Sequence, residues 1–585
     1  MKNGILGLLV LGCLGAPRAR AEEAPQALHW QDWTPSLFKE ADAKKRFVLL
    51  DLEAVWCHWC HVMAETTYRD PKVVSLLREH FLTVRVDQDA RPDLSNKYED
   101  YGWPATVIYD TKGQELVTFA GYIPPLRMAS LLQGVLDDPT PGPSVLKNQE
   151  PHPSAAGSLD ATLQKTLEDL VLTRYDKEHG GWGFVHKYLT GESLEYSLEK
   201  ARGGDKDASA RAKETLDRCH GLIDPVWGGL YQYSDGGVWE NPHFEKIMFL
   251  QSEALRIFSN AYALWHRPED LKAATDVRRF LDLFLKGPDG AFYTSEDADV
   301  VPGEHSAEYF AQGDAERRRH GVPRIDTHSY ARENAWAGSG LLALYGASGD
   351  EAVLKEALAT GTWIASHRAR PDGGFSHDTK DAAGPYLGDS LASGRFFLDL
   401  YAATGDRAWL GKSEAAARFI EATFRGPAGY RTSSPIADSR PERDENVALC
   451  RFLNLLSEYT GKKDYRGMAE YAMRYLTDPE VAQRFDTAGI LLADAELRRS
   501  PLHVTVVGRR EDETAQALLK MALGIPETYK RVELFDRREG PLPHADTPFP
   551  ELPTSAAYLC SEGRCSAPAK TTEALKDRLA RLSAQ

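Results

Sequence analysis

Between Leu159 and Arg498 the chain repeats one arrangement: long amphipathic stretches broken by glycine followed by a large apolar or aromatic residue. The breaks are Gly180-Gly181-Trp182-Gly183-Phe184, Gly228-Gly229-Leu230-Tyr231, Gly290-Ala291-Phe292-Tyr293, Gly373-Gly374-Phe375 and Gly429-Tyr430, with a weaker one near Gly489. They recur at roughly fifty to eighty residues, room for one pair of helices each time. A single pair cannot bury its own apolar face. Five or six of them are therefore expected to close into an all-α (α/α)6 barrel over residues 158–500, with the glycine-aromatic loops gathered at one mouth. The plainest role for each loop is structural, the glycine ending a helix and the aromatic plugging the barrel end.

Upstream the period changes. Phe47-Val48-Leu49-Leu50-Asp51-Leu52 reads as a strand that runs directly into Trp56-Cys57-His58-Trp59-Cys60-His61, and Val62 to Tyr68 contains no helix breaker. Leu82 to Val86 and Ala105 to Tyr109 read as further strands. Thr111-Lys112-Gly113 turns the chain back into Leu116 to Phe119, and a helix follows Pro124-Pro125. Residues 28–137 thus read as an α/β thioredoxin-like domain, and residues 138–157, rich in Pro, Gly, Asp and Ser, as a linker. After Pro501, a strand at His503 to Gly508, a helix at Glu511 to Leu523 and a strand at Arg531 to Phe535 make 501–585 a small α/β appendage.

At 585 residues the chain exceeds what one core serves. Its 70 basic against 86 acidic residues, a formal charge of -16, work against a groove that tracks phosphates, so nucleic acid is not an expected partner. Lys2, the apolar run Ile5 to Leu14 and Ala19-Arg20-Ala21 read as a signal peptide over residues 1–21. A run of about a dozen apolar residues is short for a membrane span of about twenty. The expected location is therefore outside the cytoplasm, periplasmic or extracellular. Val10-Leu11-Gly12-Cys13 loosely resembles a lipoprotein cleavage site, which makes lipid anchoring on Cys13 the rival reading. No later stretch is apolar enough for a transmembrane span in the mature chain. Cys57, Cys60, Cys219, Cys450, Cys560 and Cys565 then remain, too few for a disulfide scaffold. Cys219 and Cys450 stand alone in helical surroundings and read as buried structural thiols.

A helix starting after Cys57 matters because free N–H groups and the helix dipole stabilise a thiolate, the form that attacks disulfides. Cys57 is the expected nucleophile, and Cys60, one turn later, the resolving thiol. A protonated His58 would stabilise the Cys57 thiolate further. Gly102-Trp103-Pro104 supplies the second element of such a site: a cis bond before Pro104 would set its loop beside the cysteines and leave the Trp103 backbone to pair with an extended substrate. Asp51 and Glu53 are candidates to take protons from Cys60, or plain strand-end charges. Three rival uses of the motif stay open: c-type haem through Cys-x-x-Cys-His, a structural disulfide, and zinc on Cys57, His58, Cys60 and His61, whose crowding into five residues suits a tetrahedral centre poorly. No cofactor and no metal site is read.

The barrel carries a second candidate site. His243 and Glu245 lie among Trp227, Tyr231, Tyr233, Trp239 and Phe244, aromatics of the kind that stack on sugar rings, and Glu296, Asp297 and Asp299 add carboxylates. Acid and base groups across a glycosidic bond or a sugar carbon are what hydrolysis or epimerisation requires. The plain alternative is a hydrogen-bonded loop clasp by His243, Glu245 and Lys246, with Glu296 to Asp299 capping a turn. Cys560 and Cys565 are placed to close a small disulfide or to relay electrons to Cys57 and Cys60.

Taken together, Cys57-His58-Trp59-Cys60-His61-Val62-Met63, Gly102-Trp103-Pro104, Pro242-His243-Phe244-Glu245-Lys246, Phe292-Tyr293-Thr294-Ser295-Glu296-Asp297-Ala298-Asp299 and Tyr558-Leu559-Cys560 with Cys565 resemble the spermatogenesis-associated protein 20 family. The resemblance implies a thioredoxin-like domain joined to a six-hairpin barrel like those of sugar epimerases and glycoside hydrolases, and brings no established reaction. The chain departs from the family pattern at Gly303-Glu304-His305-Ser306-Ala307-Glu308-Tyr309-Phe310, where relatives commonly carry Lys-Phe-Tyr-x-Trp, and at Ala337-Gly338, where Asn-Gly is expected. The function expected from sequence is an exported thiol-disulfide oxidoreductase acting on a disulfide-bearing protein or peptide, with a carbohydrate as candidate ligand of the barrel. The alternatives are a carbohydrate-active or carbohydrate-binding barrel regulated by its thioredoxin-like domain, and a docking protein without turnover.

Overall fold

A computed structural model describes residues 27–98, 102–145, 157–381, 383–434, 439–545, 547–561 and 564–582. The expected leader, Cys13 and most of the linker lie outside the described residues. The N-terminal unit runs α1 (Leu37–Lys44), β1 (Phe47–Glu53), α2 (His58–Glu65), α3 (Pro71–His80), β2 (Phe81–Asp87), α4 (Pro92–Tyr98), β3 (Ala105–Tyr109), β4 (Glu115–Ala120) and α5 (Pro125–Asp137). The sheet order is β2-β1-β3-β4, with β2 parallel to β1, and β3 antiparallel to β1 and β4. Strand alternation explains the apolar run of β1. Val48, Leu50 and Leu52 pack on one face with Val84 and Val107, while Leu49 turns to the other with Leu77, Ile108 and Leu132. Both faces are covered, as a thioredoxin-like unit requires.

The barrel is built from six helical hairpins among the described residues: α6 (Ala161–Thr173), α7 (Gly191–Arg202), α8 (Lys206–Cys219), α9 (Met248–Trp265), α10 (Pro268–Phe280), α13 (Ala331–Ser348), α14 (Glu351–His367), α15 (Leu387–Thr404), α16 (Arg407–Phe424), α17 (Arg443–Thr460), α18 (Lys463–Leu476) and α20 (Ala488–Arg498). Helices α7, α9, α13, α15, α17 and α20 contact one another in a ring that closes from α20 back to α7. The others form the outer layer, α6 pairing with α20 across the ends of the domain. Between α8 and α9 lie β5 (Tyr233–Ser234), β6 (Pro242–His243) and β7 (Lys246–Ile247). Between α10 and α13 lie β8 (Ser295–Glu296), α11 (Ala307–Phe310), α12 (Asp314–His320) and β9 (Ile325–Asp326), and α19 (Pro479–Ala482) precedes α20.

The glycine-aromatic breaks have one structural job. Each returns the chain from an outer to an inner helix through an antiparallel bridge: Tyr175 with Trp182, Ile223 with Leu230, Lys286 with Phe292, Ala369 with Phe375 and Arg425 with Tyr430. The plug residues Trp182, Leu230, Phe292, Phe375 and Tyr430 are buried. At three breaks a side-chain amide from the next inner helix takes both backbone groups of the plug residue. Leu230 is held by Gln251 (2.7 and 2.7 Å), Phe292 by Asn334 (2.7 and 3.0 Å) and Tyr430 by Asn446 (3.0 and 2.8 Å). Gly338 shows a different need: a Cβ there would stand 2.2 Å from the Phe396 ring, so its absence lets α13 and α15 pack closely.

The appendage, β10 (Leu502–Val507), α21 (Glu513–Leu523), β11 (Lys530–Phe535), β12 (Ala556–Ser561), β13 (Arg564–Cys565) and α22 (Thr572–Leu582), has sheet order β11-β10-β12-β13. Its pairings are parallel, antiparallel and antiparallel, the same plan as the N-terminal sheet. The turn between β10 and α21 carries no cysteine. Cys560 and Cys565 face each other across β12 and β13 and form a disulfide, and Cys219 and Cys450 are buried free thiols. No helix among the described residues is long and apolar enough to cross a membrane.

The N-terminal unit covers the barrel mouth at the N-terminal ends of the inner helices. Nδ2 of Asn96 donates to Thr432 Oγ1 (3.1 Å), and the Ala298 N–H to the Trp56 carbonyl (3.3 Å). His377 faces acceptors at both ring nitrogens, Asp389 Oδ1 at 2.9 Å and the Asp89 carbonyl at 2.7 Å. Burial opposes a charged ring, but Asp389, aided by Glu333, outweighs it and lifts the His377 pKa from 6.5 to about 9. This raised value makes the contribution complete below about pH 6.5 and lost as pH rises through 9, worth about 3 kcal/mol at most. Urea unfolding of the parent chain and H377Q from pH 6 to 10 should show a stability gap that closes at alkaline pH; a gap independent of pH would contradict the charged pin. Asn446→Ala, which strands two buried backbone groups, should lower stability by about 2–4 kcal/mol in the same assay.

Candidate active site

The turn after β1 ends in an N-cap that is itself the expected nucleophile. Cys57 has extended backbone (φ -87°, ψ 107°), and its sulfur accepts the Cys60 N–H at 3.1 Å. The two sulfurs are joined at 2.07 Å as a disulfide one helical turn deep in α2. The Trp103–Pro104 bond is cis, and Trp103 packs against Cys57, Cys60, Trp56 and Ala54. Ile247, from the barrel, completes this cluster. Cys57 is 4 % and Cys60 3 % exposed, so both residues are buried. Beside them, between the two units, lies a cavity of about 280 Å³ whose lining includes Trp56, Trp103, Asp89, Phe249, Glu333 and Trp336.

The two candidate sites, separate in the sequence reading, meet here. The Nδ1 atoms of His58 and His61 lie 2.7 Å from Asp299 Oδ1 and 3.1 Å from Asp299 Oδ2, and His61 Nδ1 lies 3.6 Å from Asp297 Oδ1. The His58 N–H donates to Glu245 Oε1 at 3.4 Å, and the same oxygen is 3.9 Å from His243 Nδ1. His243 stacks on Tyr233 with ring centres 4.3 Å apart. His305 stands edge-on to His58 and His243, at 5.8 and 6.3 Å. The barrel candidate His243 and the redox helix therefore belong to one cluster, linked through Glu245.

Burial alone would raise the Asp299 pKa, yet the hydrogen bonds of His58 and His61 hold it down at about 2. Asp297, more lightly partnered, is pushed by burial up to about 7. Burial disfavours a charged His61, but Asp299 and Asp297 outweigh it and raise its pKa. His305 is lowered by burial and by the charges of His58 and His243. The Asp299 carboxylate lies against the His58 ring, and Glu245 meets the backbone N–H of the same residue.

Glu296 does not join this cluster. Strand β8 pairs with β7, and alternation sends Glu296 to the opposite side from Asp297. There its Oε1 accepts from Lys246 Nζ (3.0 Å), which also binds Asp224 Oδ2 (3.0 Å), itself held by Arg317 Nη1 (2.7 Å). All four side chains are fully buried. Lys246 and Glu296 are a loop clasp, whereas His243 and Glu245 face His58 of the redox helix. Asp51 and Glu53 are buried or half-buried partners of Arg85, at 2.9 and 3.1 Å. Burial raises both carboxyls against the pull of Arg85, and Asp51 helps to push Glu53 to about 7.

The sequence reading treated His61 as part of a motif and passed over His305, Asp89 and Ile247. His58 and His61 are three apart, so they share a helix face, and that spacing was the available signal that one carboxylate serves both. For His305 no local signal exists.

A family model described as Thioredox_DsbH, protein of unknown function DUF255, matches residues 20–136. Spermatogenesis-associated protein 20 of Homo sapiens is 24 % identical over 425 residues, covering 65 % of this chain and 50 % of that protein. The protein of the same name from Mus musculus is 24 % identical over 321 residues, 48 % and 40 % of the two chains. The chain thus spans half the length of these curated relatives or less. Among solved structures, a sugar epimerase from a ruminal bacterium has a TM-score of 0.45 at 14 % identity, covering 54 % of this chain and 86 % of that one. A family 76 mannosidase from Bacteroides thetaiotaomicron has a TM-score of 0.40 at 12 % identity, covering 55 % and 98 %. Likeness at that level bears on no reaction of this chain. The resemblance read from the motifs is borne out: the N-terminal segment matches the DUF255 family, and the longer chain is similar to spermatogenesis-associated protein 20.

Proposed function

We propose that this chain is an exported thiol-disulfide oxidoreductase whose substrate is an extended disulfide-bearing segment of a protein or peptide, received between the redox turn and the barrel mouth. The observation that carries the reading is the Cys57 sulfur at the N-terminus of α2, bonded to Cys60 and packed against the Trp103-Pro104 loop. In the reducing direction, the Cys57 thiolate attacks one sulfur of the substrate disulfide and expels the other as a thiolate, which takes a proton. The Cys60 thiolate then attacks the Cys57 sulfur, closes the internal disulfide and releases the second substrate thiol. Two electrons pass to the substrate. The opposite direction transfers them back by the same steps. The slight exposure of both cysteines favours a thin, unfolded segment over a folded surface. Trp59, 39 % exposed and stacked on Tyr122, offers such a segment an apolar edge.

Reduced full-length chain mixed with a synthetic peptide disulfide should show exchange, and Cys57→Ser should lower its rate about 100-fold or more. Cys60→Ser should instead accumulate a covalent adduct with the peptide, seen by mass spectrometry. Equal rates in Cys57→Ser and the parent would overturn the reading. A reduction potential near about -270 mV would mark the pair as a reductant and one near about -120 mV as an oxidant.

A further inference from the structure

We propose that His61, Asp297 and Asp299 form a site for one divalent cation, which ties the redox helix to the barrel. His61 Nδ1 is 3.1 Å from Asp299 Oδ2 and 3.6 Å from Asp297 Oδ1, and one ligand atom from each residue lies within 4.8 Å of the others. Nitrogen and oxygen ligands about 2.0–2.2 Å from a common ion, at tetrahedral or octahedral angles, stand about 3.0–3.5 Å apart. The observed gaps fall around that interval, and all three atoms belong to buried or half-buried side chains.

Charge balance makes the same point independently. Glu245, Asp297 and Asp299 are each 3 % exposed, and Glu245 lies near enough to Asp297 for its charge to act there. Among the described residues, every ion pair of these three carboxylates is with a histidine. Glu245 Oε2 is buried with no hydrogen-bond partner. Glu296, the preceding residue to Asp297, is by contrast matched by Lys246. Buried acids are ordinarily paired with cations or bind metal, and this group has the acids without a fixed cation. One imidazole with two carboxylates suits Zn²⁺ or Mn²⁺ better than a soft ion that demands thiolates. His58, bonded to the other oxygen of Asp299, would orient that carboxylate from outside the ligand set. Because His61 comes from α2 and both aspartates from the barrel, the cation would hold the two units together.

The test uses tag-free, full-length chain with both disulfides formed, so that no cysteine thiolate of the redox pair competes, after dialysis against a chelator. Titration with Zn²⁺ and with Mn²⁺ by calorimetry should give one site for at least one of them. Asp297→Asn and His61→Ala should each weaken it tenfold or more, and a Cys57→Ser/Cys60→Ser double variant should retain it. The added ion should raise the thermal midpoint of the parent and leave that of Asp297→Asn unmoved, a comparison that holds even if the variant starts less stable. Binding of neither ion at millimolar concentration, or binding unchanged in both single variants, would overturn the site. Thiol exchange is measured separately, so its failure leaves this result standing, and the reverse.

Discussion

Asp299 accepts a hydrogen bond from each of two histidines on one face of α2, and that three-residue clamp sets what the reactive sulfurs meet. The helix that presents Cys57 is thereby seated on a barrel loop, with Ala298 bonded to the Trp56 carbonyl one residue before the nucleophile. Gly303 donates to the same Asp299 carboxylate, so the loop folds around its own acid as well as around the helix. Carboxylate and imidazole are held together out of water, where an unpaired member of either kind would be costly. The redox turn therefore acquires a second wall that an isolated thioredoxin-like unit would not have.

Two adjacent acids of the barrel loop illustrate how strand geometry sorts chemistry. Glu296 and Asp297 differ by one position, and the two-residue period of β8 points them to opposite sides. Glu296 enters a fully buried network with Lys246, Asp224 and Arg317 that holds the loop's shape. Asp297 reaches the domain interface with histidine for company. A run of acids in sequence is thus two separate devices, one structural and one facing the histidines of the redox helix.

Repetition governs the remainder of the molecule. The side-chain amides of Gln251, Asn334 and Asn446 fasten equivalent breaks of three hairpins at the barrel mouth on which the N-terminal unit rests. The two α/β units at the ends of the chain share one strand plan, but only the first carries cysteines at the turn directly after its leading strand. The second places its disulfide across a hairpin, where it closes a short turn.

Local chemistry made much of this readable in advance. An apolar strand running into Cys57-x-x-Cys60, a Trp-Pro loop and glycine-aromatic breaks between helices are patterns over a few residues, and short-range sterics and periodicity decide them wherever they occur. The thioredoxin-like unit, the helical barrel and the expected redox pair accordingly follow from the amino-acid order alone. What the order does not encode is which distant loops share space: His58 and Asp299 are separated by 241 positions. Their meeting depends on how a closed ring of helices aims its loops and where the N-terminal unit rests on it. Only the tertiary structure therefore turned two candidate sites into one, withdrew Glu296 from it, and set His305 beside His58.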